Sequence, residues 1–102
     1  MGCQVQHDGS VSTIAISGRF VFDLHRTFRD AYEGANSRPE IKLIQLNMSN
    51  VEYLDSSALG MMLLMRERVE MAGKKIVIKG VSPFVGAILK TANFEKLFEI
   101  AD

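Results

Sequence analysis

Apolar and polar residues alternate through the first part of the chain, and this pattern predicts a β-hairpin. Residues 4–7 indicate a short edge strand, Asp8-Gly9 is a turn signal, and residues 11–16 alternate with β-branched side chains. We expect the second strand to end at Gly18. A helix follows, for which Asp23 can serve as the cap. Apolar residues at spacings of three and four form its inward stripe: Leu24, Phe28, Ala31, Tyr32 and Ala35.

The remainder of the chain alternates between strand-like and helix-like segments. Over residues 41–48, apolar side chains occur at both odd and even positions, which is typical of a strand covered on both faces. Residues 47–54 suggest a polar connection. Asp55 then caps a second helix, which runs to about Ala72 and is stopped by Gly73. The later predicted elements are a strand over 75–79, a helix from Pro83 to about Thr91 capped by Ser82, and a last strand at 98–100.

This order predicts an α/β fold built on a mixed sheet of four or five strands. Strands that alternate with helices pair in parallel through right-handed crossovers, so only the N-terminal hairpin is antiparallel. The chain has 102 residues, of which 47% are hydrophobic, and this is enough for one core. We therefore expect a single domain over residues 1–102, in which helices flank the sheet.

The charge balance argues against several kinds of partner. Twelve basic and twelve acidic residues cancel, whereas a nucleic-acid binder normally shows a basic excess or stripe. Polybasic attachment to a membrane is unsupported for the same reason, and the longest apolar run, residues 58–65, is too short to span a bilayer. Cys3 is the only cysteine and the N-terminus does not have the pattern of a signal peptide. We expect a cytoplasmic protein.

The stretch around Asp55 carries most of the functional information. Sites on α/β sheets cluster at the carboxyl ends of strands, so Ser56 and Ser57 are expected at a functional corner that a kinase can reach. Apolar residues occupy the first two turns of the helix almost all round. The inward stripe is expected to consist of Ala58, Met62, Met65, Val69 and Ala72. Met61 and Leu64 would then form an exposed, Met-rich interaction patch, unless the sheet and the third helix bury them.

Residues 46–60 resemble the central motif of the STAS domain of bacterial anti-sigma factor antagonists: an apolar strand, a short loop, then Asp-Ser-Ser/Thr-Gly-Leu-Gly opening a helix. The resemblance continues through residues 73–78, 81–83 and 96–98. It implies a partner switch in which Ser56 is phosphorylated by an HATPase-type serine kinase, usually the anti-sigma factor itself. A PP2C-type phosphatase reverses this step. The unphosphorylated form binds the kinase and frees its client.

The resemblance also assigns roles to the residues beside Ser56. Asp55 is the neighbour and cap of Ser56, and Ser57, at the Ser/Thr position, is a less favoured phosphorylation site. With Met61, Leu64 and Asp23, these residues make up the expected partner surface.

Two departures from the family pattern bear on that surface. Ala58 stands where the family commonly has Gly. Many members have Gly-Glu-Leu-Asp after the first long strand, whereas this chain has Gly18-Arg19-Phe20-Val21, and its acidic residue, Asp23, comes two positions later. The departure leaves open a relative that controls a secretion, biofilm or motility pathway. It also leaves open a scaffolding module in which Ser56 and Ser57 only cap a helix.

An enzyme is the remaining alternative. His25, Asp55 and Ser56 could be imagined as a triad, but Ser56 lacks a Gly-x-Ser-x-Gly elbow and His25 is expected to be solvated. His7, His25 and Cys3 give no metal constellation, and no Walker or Gly-x-Gly-x-x-Gly loop is present. We therefore expect no catalytic activity, no metal and no cofactor. The expected oligomeric state is a monomer or a weak dimer.

Overall fold

The computed structural model describes residues 2–101, and its five strands form one sheet in the order β1-β2-β3-β4-β5. β1 pairs antiparallel with β2, and all other neighbours are parallel. The strands are β1 (Cys3–Asp8), β2 (Val11–Phe20), β3 (Leu43–Leu54), β4 (Lys75–Lys79) and β5 (Glu99–Ala101). The predicted α/β fold, with an N-terminal hairpin on a mixed sheet, is confirmed.

Three α-helices connect these strands. They are α1 (His25–Asn36), α2 (Ser56–Met71) and α3 (Pro83–Thr91), with 3₁₀ turns at Phe22–Leu24 and Phe94–Lys96. Ser82 caps α3 as expected, since its hydroxyl accepts a hydrogen bond from the Val85 amide at 3.1 Å. No helix within residues 2–101 is long and apolar enough to cross a membrane.

One face of the sheet carries the core. Along β3, Ile44, Leu46 and Met48 are fully buried, whereas the alternate positions are only half-buried. These buried residues join inward side chains of all three helices in one cluster. The prediction that both faces of this strand are covered is therefore wrong. Ile41 and Leu43 suggested the second parity, but Ile41 lies before the strand, buried in the preceding loop, and Leu43 is only half-buried at the start of β3.

The prediction that residues 47–54 form a polar connection is also wrong, because β3 continues to Leu54. β2 extends past Gly18 and supplies a partner, so that Arg19 pairs with Tyr53 and Phe20 with Leu54. Register shifts after Ala15 and after Gly18 let the two strands stay paired although their lengths differ. In this segment Met48, Val51 and Leu54 are buried and two exposed residues lie between each of them, a departure from strict alternation that accompanies the register shifts.

Two helix-end predictions differ from the structure. Asp23 does not cap α1, because it lies inside the first 3₁₀ turn and Leu24 precedes α1 without any side-chain cap. The chain begins to coil at Phe22, two residues before the start that the Asp23 cap predicted. Ala72 is exposed because α2 ends at Met71 and the chain turns away there, with Gly73 at a φ of +76°. The other members of the predicted α2 stripe are buried.

Lys74 ties the loop before β3 to the start of β4. Its side chain is buried, and Nζ donates hydrogen bonds to the carbonyl oxygens of Ile41 at 2.7 Å and Arg38 at 2.9 Å. These bonds satisfy one carbonyl near the start of the α1–β3 loop and one near its end. A buried cation without such acceptors would be costly.

We expect Lys74→Met to lower the free energy of unfolding by about 2 kcal/mol, because the buried carbonyl of Ile41 loses its donor. Urea denaturation followed by circular dichroism measures this change. The matched control is Lys75→Met, whose side chain is exposed, and which should change stability by less than about 0.5 kcal/mol. Equal effects from the two variants would contradict a special role for Lys74.

Gly80, directly after β4, makes close contact with β3. Its φ is +74°, and a Cβ placed there would overlap the Ser49 hydroxyl and lie 2.9 Å from the Ser49 amide nitrogen. Asn47 braces the same bend, because its Oδ1 accepts hydrogen bonds from the Ser49 amide at 3.0 Å and hydroxyl at 2.6 Å. Only glycine fits both the backbone conformation and the space.

Gly80→Ala should therefore destabilise the fold by about 1–3 kcal/mol, the usual range for strain of this kind. The control is Gly34→Ala in α1, where a Cβ meets nothing within 4 Å and removal of glycine should stabilise by about 0.5–1 kcal/mol. Thermal unfolding of both variants tests the prediction, which fails if the two midpoints shift in the same direction.

Candidate functional site

The predicted corner lies where the neighbouring strands β2 and β3 end together. Arg19 pairs with Tyr53 and Phe20 with Leu54, so β2 and β3 finish at the same edge of the sheet. Asp55 follows β3 directly and α2 begins at Ser56. The site therefore lies at the carboxyl ends of the central parallel strands, where α/β folds usually place binding sites.

Asp55 fixes how the helix begins. It has an extended backbone, with φ −118° and ψ −175°, and its Oδ1 accepts a hydrogen bond from the Ala58 amide at 3.2 Å. One of the unpaired amides of the first helical turn is satisfied in this way. The predicted cap is confirmed.

Ser56 and Ser57 point in different directions from the first turn of α2. Ser56 is exposed, and its hydroxyl makes no hydrogen bond with any residue in the described range 2–101. At 100° per residue it shares the outermost line of the helix with Gly60 and Leu63, opposite the buried stripe. Ser57 is half-buried and turned toward α1. The Ser56 hydroxyl is thus the more accessible of the two.

An apolar groove of about 370 Å³ runs between α2 and the start of α1. α2 contributes Ser57, Met61 and Leu64 to its wall. The first 3₁₀ turn and α1 contribute Phe22, His25, Phe28, Arg29 and Tyr32. Phe22 stacks on His25 with ring centroids 4.3 Å apart, although Phe22 itself is 58% exposed.

The apolar residues of α2 are not all covered. Leu64 is 50% exposed and Leu63 is 41% exposed, whereas Met61 is half-buried. A second shallow groove lies on the α3 side of the helix, where Leu59, Phe84 and Ile88 meet. Ser56, Gly60 and Leu63 form an exposed ridge along α2. This ridge is therefore flanked by apolar surface on both sides. The role of Met61 and Leu64 in partner binding stays a prediction.

Three residues of this surface were missed by sequence reasoning. Leu63 was predictable, since it lies seven positions after Ser56 and so returns to the same line of the helix. Phe84 follows the Pro83 start of α3, in the exposed first turn. Phe22 had no local signal, because its exposure depends on how the 3₁₀ turn packs beside α2.

The segment that departs from the family pattern lies at the end of β2 and carries a cation in this chain. The guanidinium of Arg19 lies over the Tyr53 ring, 4.6 Å from its centroid, and both side chains are exposed at the ends of their strands. Asp23 is also exposed, in the neighbouring 3₁₀ turn, on the strand-end edge of the sheet. The corner thus presents separate positive and negative groups.

The residues imagined as a triad are not joined. His25 is half-buried rather than solvated, and its Nδ1 lies 3.2 Å from the Phe22 carbonyl oxygen, to which a ring N–H can donate. Asp55 is engaged with the Ala58 amide instead.

His7 lies on β1, with Nδ1 2.6 Å from the Ser12 hydroxyl. Burial raises the pKa of the Cys3 thiol, which favours its protonated form.

Removal of the Asp55 cap should weaken the start of α2. We expect Asp55→Ala to cost about 1 kcal/mol of stability, and Asp55→Asn, which keeps an acceptor oxygen, to cost much less. Chemical denaturation of both variants measures the difference. A loss of the same size in the two variants would show that charge, and not the hydrogen bond to Ala58, is what matters.

Sequence comparisons place the chain among known proteins. The family model described as Mlab, STAS domain matches residues 3–99. A STAS-domain containing protein of Pseudomonas aeruginosa is 46% identical over 94 residues, which cover 92% of this chain and 91% of that protein. An anti-sigma F factor antagonist of Paenibacillus polymyxa is 24% identical over 99 residues, 97% of this chain and 85% of that protein.

The fold agrees with these matches. The unphosphorylated form of the anti-sigma factor antagonist SpoIIAA aligns with a TM-score of 0.77 at 17% identity, over 98% of this chain and 87% of that one. The phosphorylated form of SpoIIAA from Bacillus aligns with a TM-score of 0.74 at 16% identity, over 98% and 91% of the two chains. With a family model over nearly its whole length and a close relative, the chain belongs to the STAS domain family, whose members include anti-sigma factor antagonists.

Proposed function

We propose that this protein is an anti-sigma factor antagonist that works as a phosphorylation-controlled partner switch in the cytoplasm. Its unphosphorylated form binds an anti-sigma factor that is also an HATPase-type serine kinase, and so releases the client of that factor. Phosphorylation of Ser56 ends the binding, and a PP2C-type phosphatase restores it. The observation that carries the proposal is the Ser56 hydroxyl, exposed and without a hydrogen-bond partner among residues 2–101, at the start of α2.

The surroundings of Ser56 explain how one phosphate could act strongly on a partner. Phosphorylation adds about −1.5 to −2 charges at neutral pH. That charge would stand on a ridge with apolar surface on both sides, formed by Leu63 and Leu64 and by the two grooves. A partner packed over this surface would have to desolvate the phosphate, which is costly without a matching cation.

The fold itself should change little on phosphorylation. The positive end of the α2 dipole favours a phosphate at Ser56, while the carboxylate of Asp55 opposes it. Modification of the Ser56 hydroxyl also breaks no hydrogen bond to any residue within 2–101. The switch therefore acts mainly on the docked partner.

Relatives support this proposal. The Paenibacillus polymyxa relative is named an anti-sigma F factor antagonist, and SpoIIAA has been solved in unphosphorylated and phosphorylated forms. Both forms share the fold of this chain, as expected for a modification that leaves the fold in place.

A second candidate function rests on Arg19. Many antagonists carry an acidic residue at this position, whereas here a guanidinium lies over Tyr53 beside the corner. A reversed charge selects a different partner surface. The alternative is therefore a STAS-type regulatory or scaffolding module that controls a secretion, biofilm or motility pathway. The identity of the protein that co-purifies with the unphosphorylated chain discriminates between the two candidates.

We expect incubation with ATP and the HATPase-type kinase encoded nearest to its gene to add one phosphate. Intact-mass spectrometry measures the addition. Ser56→Ala should abolish it because the acceptor hydroxyl is lost, whereas Ser57→Ala, the matched control, should still accept one phosphate. Full labelling of Ser56→Ala would contradict the assignment of the site.

Partner binding is tested separately by calorimetry with the same kinase. Ser56→Asp should keep its circular dichroism spectrum and lose affinity. Leu63→Ser should weaken binding about tenfold, because about 1.4 kcal/mol of apolar burial is lost. Leu97→Ser is the control, since Leu97 is an exposed leucine beside β5. Unchanged affinity in Ser56→Asp would argue for a scaffold without a switch.

A further inference from the structure

β1 leaves one side of its backbone unpaired at the edge of the sheet. The Ser17 amide donates to the Gly2 carbonyl oxygen at 3.0 Å, so Gly2 and Ser17 form a hydrogen-bonded pair. Hydrogen-bonded pairs alternate with non-bonded ones in an antiparallel ladder, which directs the N–H and C=O groups of Cys3, Val5 and His7 away from β2. Within residues 2–101 these groups have no other backbone partner.

This edge lacks the usual protection against pairing with another strand. Natural edge strands are kept apart by lysines, prolines, bulges or very short length. β5, at the opposite edge, has only three residues and begins with the exposed Glu99. β1 has six residues, pairs with β2 without a register shift, and presents the apolar side chain of Val5 at 41% exposure. A strand of this kind is suited to extend across an interface.

We propose that two copies of this chain associate through β1, with the two strands antiparallel about a two-fold axis at Val5. In this register the outward groups of Val5 bond to those of Val5 in the other copy. Cys3 of each copy bonds to His7 of the other, so all three outward residues are paired. If the two-fold axis passed through Gln4 or Gln6 instead, only two of the three outward residues in each copy would find a partner. Val5 is therefore the favoured centre.

The side chains of β1 are self-complementary in this register. Val5 meets its own copy and buries apolar surface on the helix-covered side of the sheet. Gln4 lies opposite Gln6 of the other copy on the open side, where two amides can exchange hydrogen bonds. The strand has no charged residue before Asp8, so no like charges are brought face to face. A second copy therefore fits this edge in both backbone and side-chain chemistry.

The pairing leaves the Ser56 corner open. β2 lies between β1 and β3, and α2 follows β3 at the end of the sheet. A dimer formed through β1 would present two independent corners, and its existence does not depend on the proposed function. Dimerisation and phosphorylation can accordingly be tested apart.

Sedimentation equilibrium over a range of concentrations tests the proposal. The unsubstituted chain should approach twice the mass of one chain, and Val5→Pro should remain monomeric because it removes the outward N–H at the axis. Proline at this position removes no bond to β2, and circular dichroism confirms that the variant folds. Val5→Thr keeps the N–H and the β-branched shape, and should still dimerise. A single-chain mass for the unsubstituted chain up to about 1 mM would overturn the proposal.

Cysteine cross-linking tests the register. In a Cys3→Ser background, Val5→Cys should form a disulfide-linked dimer under mild oxidation, because facing Cα atoms in a hydrogen-bonded pair lie about 5.5 Å apart. Gln6→Cys is the matched control and should cross-link much more slowly, since it faces Gln4 of the other copy. Equal cross-linking rates for the two cysteine variants would contradict the β1 interface. Sedimentation of Val5→Pro at twice the mass of one chain would also contradict it.

Discussion

β2 and β3 lie side by side in the sheet, and their parallel pairing continues beyond the end of β4 to Phe20 and Leu54. The geometry of the candidate site depends on this extension. It ends both strands at the same edge and delivers Asp55 in the extended conformation that a helix cap requires. With the cap in place, helical geometry puts Ser56 opposite the buried stripe of α2, and α1 packs on the side that carries Ser57.

The same corner combines apolar surface with isolated charges. Leu63, Leu64 and Phe22 are exposed around Ser56, while Arg19 and Asp23 occupy the neighbouring strand end and 3₁₀ turn. Apolar surface favours association without selecting a partner, and charged groups at its rim select among partners. Arg19, at a position where the family pattern has an acid, is consequently the feature of this surface that would bear most on the choice of a partner.

The sheet is also asymmetric in a way that matters for assembly. All three helices contribute to the core on one face, and the other face stays half-exposed with polar residues such as Gln45 and Asn47. The strand order leaves β1 at one edge and the short β5 at the other. An antiparallel edge with outward groups at every second residue offers a different kind of contact from the helical corner, so the two can act independently.

Local patterns by themselves determined the hairpin, the apolar stripe of α1, the caps at Asp55 and Ser82, and the start of α2, because each depends on residues a few positions apart. The family motif singled out Ser56 over Ser57. Only the tertiary structure decided that β3 runs on to Leu54, since that depends on a partner strand remote in sequence. The exposure of Leu63 and Phe22, the burial of Lys74 and the open edge of β1 were decided in the same way, because exposure is a property of what packs alongside.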